Sequence, residues 1–139
     1  MKSKNGSAIG KYGIYFQPNK HSDSDCVIRA ICKAADMEWS SAYEYAYMHT
    51  KNKQYVFNSP HGIKIILSNL GFISCKEKSR WNDSLQRRTK RTVNDFCKEN
   101  PKGTFVLNLA GHIVTVVDGK FYDIWDCGHS KIYSYFKKI

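Results

Sequence analysis

The chain has 139 residues, of which 42% are hydrophobic and 14% aromatic, and it carries a formal net charge of +10. This length suits one domain over residues 1–139, and the composition excludes a disordered chain, a collagen and a coiled coil. No apolar run approaches the roughly 20 residues that a bilayer helix needs, and the first residues lack the apolar stretch of a signal peptide. We therefore expect a soluble, cytoplasmic protein with no membrane partner.

The five cysteines are scattered along the chain, and no two of them form a Cys-x-x-Cys pair. Neither a disulfide framework nor a zinc knuckle fits this spacing. Cys127-Gly128-His129 places a thiol near an imidazole, but without a second pair of ligands it indicates a turn. The sequence therefore predicts reduced thiols, no metal site and no cofactor.

The N-terminal half of the chain has helical patterns. Residues 1–20 show no sustained period and are predicted to be an irregular lead-in. A hydroxyl cap at Ser22 followed by Asp25, and then apolar residues at helical spacing, predicts a helix over 24–36 with Cys26 in its first turn.

Two further helices and a short strand follow. A capping box beginning at Ser41 predicts a second helix to about His49, and Ser59 with Pro60 predicts a third to Leu70. A short strand over Phe72–Cys75 and a short helix capped by Thr92 and Asp95 complete this part.

Residues 76–91 are strongly basic, with seven Lys and Arg residues against two acidic ones. We expect a loop here whose exposed cations form a basic surface: Arg80, Arg87, Arg88, Lys90 and Arg91. Such a surface suits an acidic peptide or a nucleic acid, and it is also typical of a solvated loop.

The C-terminal part changes to the alternation of strands. Residues rich in β-branched and aromatic side chains predict four strands, at Thr104–Leu109, His112–Val117, Lys120–Trp125 and Lys131–Phe136. Asp118-Gly119 is a two-residue hairpin signal. The sequence therefore predicts an α+β fold in which N-terminal helices pack on a C-terminal antiparallel sheet.

Two residues supply the reagents for acyl transfer. Cys26 is predicted in the first turn of a helix, where free N–H groups and the helix dipole favour a thiolate. His112 opens a strand directly after Gly111, which leaves room for the imidazole to be approached. A thiolate and an imidazole together are the nucleophile and base of cysteine-dependent catalysis.

The hairpin register supplies a third residue. With Asp118-Gly119 as the turn, Val117 pairs with Lys120, and Asp123 lies diagonally across from His112 on the same face. A slip of one residue would move Asp123 to the other face. The sequence therefore predicts that Asp123 orients the ring of His112.

A cysteine at a helix start, then a histidine at a strand start, then a polar residue on the next strand resembles the papain-like cysteine peptidases. The closest likeness is to small stand-alone forms, including bacteriocin-processing-type peptidases and related phage proteins. The resemblance implies a papain-like fold in which Cys26 is the nucleophile, His112 the base, Asp123 the orienting group and Trp125 a shield over their hydrogen bond.

The sequence departs from that family at the oxyanion donor. The family's glutamine, six residues before the cysteine, is replaced here by Lys20. The nearby amides Asn19 and Gln17 are candidates for this role, and the backbone N–H of Cys26 is a second donor.

These observations predict a hydrolase that cleaves a peptide or isopeptide bond of a protein substrate. The positive net charge of the chain suggests that this substrate is acidic. If a phage encodes the chain, we expect it to act in the host cytoplasm. Two alternatives stay open. One is a catalytically inactive papain-like module that binds a host factor or nucleic acid through the basic surface. The other is a structural phage protein.

Overall fold

The computed structural model describes residues 4–20 and 25–139 of the chain. The fold is α+β. The helices in the described residues are α1 (Cys26–Ala35), α2 (Trp39–Thr50), α3 (Pro60–Asn69) and α4 (Val93–Glu99), with one turn of 3₁₀ helix at Lys51–Lys53. The strands are β1 (Ala8–Ile9), β2 (Gly13–Tyr15), β3 (Phe72–Lys76), β4 (Arg80–Asn82), β5 (Arg87–Thr89), β6 (Thr104–Leu109), β7 (His112–Val117), β8 (Lys120–Asp123) and β9 (Ser134–Lys138).

The main sheet has seven strands in the order β1, β2, β8, β7, β6, β9, β3. Its neighbours are antiparallel except for β2 and β8, which are parallel. The expected antiparallel sheet is therefore mixed. The lead-in expected to be irregular contributes β1 and β2, which are too short to show a period-two pattern in the sequence.

The β7–β8 hairpin has the predicted register, with Val117 paired to Lys120 and Thr115 to Tyr122. Asp118 and Gly119 both have positive φ, as the tightest two-residue hairpin turn requires. β8 ends at Asp123, two residues before the predicted end, because the Asp123 carboxylate accepts the N–H of Ile124 and turns the chain out of the ladder.

The basic segment is a hairpin and not the expected loop. β4 and β5 pair antiparallel, and the side chain of Asn82 accepts the N–H of Leu85 in their connection. Ion pairs of Arg91 with Glu77 and of Arg80 with Glu99 attach this hairpin to the rest of the fold. Its three-residue strands carry charged side chains on both faces, so the sequence shows no strand alternation here.

Helix α1 begins at Cys26, and the carboxylate of Asp25 accepts backbone N–H groups of its first turn. The predicted cap at Ser22 lies outside the described residues. Helix α2 begins at Trp39, before the predicted capping box, with no side-chain cap at Glu38. Helix α4 has the predicted capping box between Thr92 and Asp95.

Two apolar clusters cover the two faces of the main sheet. One packs α1, α2 and α3 against Val106, Ile113 and Phe136. The other packs α4 against Val114, Val116 and Phe121. None of the helices in the described ranges is long and apolar enough to cross a membrane.

Candidate active site

Cys26 is the first residue of α1, and its side chain is half-buried. The Asp25 carboxylate accepts the N–H groups of Val27 and Ile28 at 2.7 and 3.2 Å, and the Asp25 carbonyl accepts that of Arg29. The Cys26 N–H has no hydrogen-bond partner among the described residues. The thiol therefore lies at the positive end of a helix, beside an available backbone donor.

His112 begins β7 after a two-residue turn in which Gly111 has φ +65°. Its Nε2 lies 2.6 Å from Asp123 Oδ2, and its ring is close enough to Cys26 for the two groups to shift each other's pKa. Because Nε2 is occupied by Asp123, the nitrogen left for the thiol is Nδ1. The structure thus brings together the three residues that the sequence singled out.

The pKa values of this pair are displaced in opposite directions. Burial opposes the thiolate of Cys26, but hydrogen bonds from His112 and the Ile113 backbone, and the charge of His112, lower the thiol pKa below its ordinary 9.0. Burial also opposes the imidazolium, but hydrogen bonds to Asp123 and Cys26 raise the pKa of His112 to about 9. Both shifts favour a thiolate–imidazolium pair.

The pKa values of three other cysteine thiols are raised, in contrast to that of Cys26. Burial raises the pKa of Cys32 to about 11 and that of Cys97 to about 12. Burial and the neighbouring Asp123 also raise the pKa of Cys127. Cys26 is therefore chemically distinct from these three cysteines.

Asp123 is fully buried and has partners at both carboxylate oxygens. Oδ2 bonds to His112, while Oδ1 accepts the Ile124 N–H at 2.8 Å and lies 3.1 Å from Arg29 Nη2. Arg29 is itself 3% exposed. Sequence reasoning missed this residue, although an arginine within the apolar stretch Val27–Cys32 was a signal that the helix buries a charge.

Trp125 lies next to the histidine, with its ring centroid 5.2 Å from that of His112. It lies beyond the end of β8, and its ring is tilted by 46° against the imidazole. Trp125 is 46% exposed, so part of its surface is in solvent.

His112, Asp123 and Cys127 offer ligand atoms that lie within 4.8 Å of one another. Two ligands on one tetrahedral zinc ion stand about 3.3 Å apart, since each bond is about 2.0 Å. The 2.6 Å between His112 Nε2 and Asp123 Oδ2 is shorter and is that of a hydrogen bond. His112 and Asp123 therefore form a hydrogen-bonded pair whose atoms would have to separate before they could bind one metal ion together. The stretch Cys127-Gly128-His129 itself forms the predicted turn.

The two amide candidates for the oxyanion donor, Gln17 and Asn19, are not among the residues that line the cleft at Cys26. The Gln17 backbone is paired with the side chain of Asn5, which fixes this segment beside the sheet. The backbone N–H of Cys26, which has no partner among the described residues, is an available donor beside the sulfur.

A cleft of about 430 Å³ opens at Cys26. It is lined by the start of α1, the start of α3, the end of β6, the start of β7 and Tyr133. Besides Cys26, His112, Gly111 and the acidic residue Asp25, its walls are mainly apolar with two amides: Val27, Pro60, Ile63, Leu109, Ile113, Tyr133, Asn58 and Asn108. This volume accommodates a few residues of a polypeptide next to the nucleophile.

The predicted basic residues fall into two groups. Arg80 and Arg91 are held by Glu99 and Glu77. Arg87 and Arg88 are exposed on β5, and Lys90 lies over the ring of Tyr133 at 4.9 Å. The hairpin thus presents cations to solvent near a residue that also lines the cleft.

In comparisons with known proteins, no family model, curated protein or solved structure matches this chain. What the arrangement can do chemically therefore follows from its geometry. A half-buried thiol of lowered pKa, a histidine of raised pKa and an adjoining cleft are the components of nucleophilic acyl transfer.

Proposed function

We propose that this protein is a cysteine-dependent hydrolase that cleaves a peptide or isopeptide bond. The observation that carries the proposal is the linked series Cys26–His112–Asp123, with its sulfur at the mouth of a cleft. Structural cysteines are buried among apolar groups and have raised pKa values, whereas this one is half-buried and has a lowered pKa.

The first chemical step is attack of the Cys26 thiolate on the substrate carbonyl carbon. The carbonyl oxygen takes up the negative charge and accepts a hydrogen bond from the Cys26 N–H. His112 then gives its Nδ1 proton to the departing amine, which leaves with the electrons of the broken C–N bond. The products of this step are a thioester on Cys26 and a free amine.

The second step is hydrolysis of the thioester. Neutral His112 accepts a proton from water as the water oxygen attacks the thioester carbonyl. Collapse of the intermediate releases the carboxylic acid and restores the thiolate–imidazolium pair. Asp123 bonds Nε2–H throughout, which keeps Nδ1 directed at the sulfur.

We also propose that the fold is a papain-like one reduced to a single small domain. Support comes from the order and placement of the three residues: a helix start, the start of a neighbouring strand and the next strand of the same hairpin. The helix carrying Cys26 packs on the strand carrying His112, and Thr115 donates a hydrogen bond to the carbonyl of Ala30 between them.

Alkylation by iodoacetamide near pH 6 tests the reactive thiol. We expect rapid modification of Cys26 alone in a Cys75→Ser background, which removes the other half-buried thiol. In His112→Ala the rate should fall by about tenfold or more, because the imidazolium that stabilises the thiolate is gone. Slow modification, equal at all thiols, would contradict the proposal.

Acyl transfer itself is tested with p-nitrophenyl acetate. We expect a burst of p-nitrophenolate and an acetyl group on Cys26, located by mass spectrometry, followed by slow turnover. Cys26→Ser is the matched control, because it keeps the size of the side chain but has a far weaker nucleophile. A burst of equal size in that variant would place the reaction elsewhere.

A further inference from the structure

A run of hollows connects the cleft at Cys26 with the basic hairpin. A hollow of about 230 Å³, lined by Trp125, shares His112 and Tyr133 with the cleft. It also shares Lys131 with a third hollow of about 450 Å³, formed largely by the hairpin. The three hollows therefore adjoin one another from Cys26 past His112 to β4 and β5, and we call this series the groove.

The far end of this groove carries cations that are not neutralised. Arg87, Arg88, Lys90 and Lys131 have no acidic partner at salt-bridge distance among the described residues. Lys131 Nζ bonds only to neutral groups there, the Thr89 hydroxyl at 2.9 Å and the Lys90 carbonyl at 3.3 Å. Lys90 and Lys131 line the hollow at the hairpin. Arg87 and Arg88 do not line it, but they lie next to it on β5, paired with the lining residues Asn82 and Trp81. We call these four residues the basic surface of the groove.

We propose that the basic surface binds an acidic segment of the polypeptide substrate and so places the neighbouring bond at Cys26. This inference rests on the proposed function and adds the class of substrate to it. The cleft itself is mainly apolar, so the two ends of the groove would recognise different parts of one chain. An extended peptide advances about 3.3 Å per residue, so a few residues connect such neighbouring hollows.

Features of the groove favour a peptide over a nucleic acid. The cleft at Cys26 has mainly apolar walls, and no lysine or arginine is among its described lining residues, so it suits apolar side chains and offers no cation to a phosphate. In the basic hollow, Trp81 is the one aromatic residue among the described lining residues, and its Nε1–H donates to Asp83 at 2.8 Å.

The test uses iodoacetyl peptides, in which the Cys26 thiolate displaces iodide and forms a thioether. One peptide carries iodoacetyl-Gly-Gly before a run of glutamates, and its control carries glutamines instead. We expect the glutamate peptide to modify Cys26 about tenfold faster at about 0.05 M NaCl, and the advantage to disappear near 0.5 M NaCl. Equal rates at low salt would overturn the inference.

A charge-reversal variant assigns the effect to the groove. Arg87→Glu/Arg88→Glu should remove the advantage of the glutamate peptide and leave the rate with iodoacetamide unchanged. The matched control is Lys51→Glu/Lys53→Glu, which reverses two exposed cations beside α2 and should keep the advantage. If both variants lose it equally, net charge and not docking is responsible. If iodoacetamide itself fails with the unaltered protein, the proposed function has failed instead.

A binding measurement separates docking from reactivity. Cys26→Ala is titrated with a fluorescent glutamate peptide and, separately, with a fluorescent thymidine oligonucleotide of similar length and charge. We expect the peptide to bind and Arg87→Glu/Arg88→Glu to weaken it. Tighter binding of the oligonucleotide through the same two arginines would overturn the inference in favour of a nucleic-acid surface.

Discussion

Arg29 Nη2 lies 3.1 Å from Asp123 Oδ1, while the other oxygen of that carboxylate binds the ring of His112. Arg29 stands one turn after Cys26 on α1, so the helix that carries the nucleophile also holds the group that orients the base. Both members of the ion pair are almost completely buried. This contact joins the helix to β8 at the centre of the candidate site.

Replacing Arg29 with Met should strongly destabilise the fold. The Asp123 carboxylate would lose the cation that compensates it in the interior, and we expect the free energy of unfolding to fall by about 3 kcal/mol. Urea denaturation measures this loss. In Arg29→Met/Asp123→Asn the carboxylate is gone as well, so much of the stability should return. A double variant no more stable than Arg29→Met would show that the two residues are not coupled.

The second prediction concerns the protonation of His112. Its pKa is raised to about 9, so the ring in the folded protein keeps its proton until the pH approaches that value. An ordinary imidazole, by contrast, is mostly neutral above pH 6.5. NMR titration of the ring should give that midpoint. In Cys26→Ser the midpoint should fall, because the thiolate that favours the imidazolium is absent. A titration midpoint of His112 near pH 6.5 in the unaltered protein would contradict the thiolate–imidazolium pair of Cys26 and His112.

The interaction between His112 and Cys26 also determines how Asp123 affects the pKa of the Cys26 thiol. In Asp123→Asn the imidazolium is less stable, so the pKa of Cys26 should rise and the iodoacetamide rate profile should move to higher pH. Each unit of that rise lowers the thiolate population about tenfold below the inflection. The rate near pH 6 should therefore fall, while the rate above pH 9 should change little. If the rate of reaction with iodoacetamide fell equally near pH 6 and above pH 9, the variant would be misfolded.

The hairpin and the Cys26–His112–Asp123 group could be predicted because local rules determine them. Asp118-Gly119 specifies one turn geometry, the turn specifies the register, and the register places Asp123 beside His112. Each step needs only neighbouring residues. The main strands β6 and β7 also have the predicted bounds, because their apolar runs are long and end at turns.

The remaining parts depend on contacts between distant segments. β2 exists because it pairs in parallel with β8, about a hundred residues later in the chain, and its three residues have no pattern of their own. Arg29 and Cys127 reach Asp123 only after α1 and the turn beyond β8 have packed against the sheet. A sequence pattern gives the period of an element but not the partner of a buried charge.

Thr115 offers a test of how firmly the helix that carries Cys26 is joined to the strand that carries His112. Its hydroxyl donates to the Ala30 carbonyl at 2.8 Å in a fully buried contact between β7 and α1. Thr115→Val keeps the shape and removes the bond, so we expect a loss of about 1 kcal/mol in the free energy of unfolding. Thr115→Ser, which keeps the hydroxyl, is the control. If Thr115→Val lost no more unfolding free energy than Thr115→Ser, this hydrogen bond would not be holding α1 in place.

Gly111 tests whether the turn before His112 controls access to the sulfur. It has φ +65°, lines the cleft, and a Cβ there would meet no other atom within 4 Å. Gly111→Ala should therefore cost about 1 kcal/mol through backbone strain alone and place a methyl group in the cleft. Iodoacetamide, which is small, should react with Cys26 at the unaltered rate, whereas a peptidyl chloromethyl ketone should react more slowly. Gly6→Ala is the matched control, since Gly6 also has positive φ, a Cβ there would meet no other atom within 4 Å, and it does not line the cleft. Equal slowing of both reagents in Gly111→Ala would mean that the turn positions His112 and does not gate the cleft.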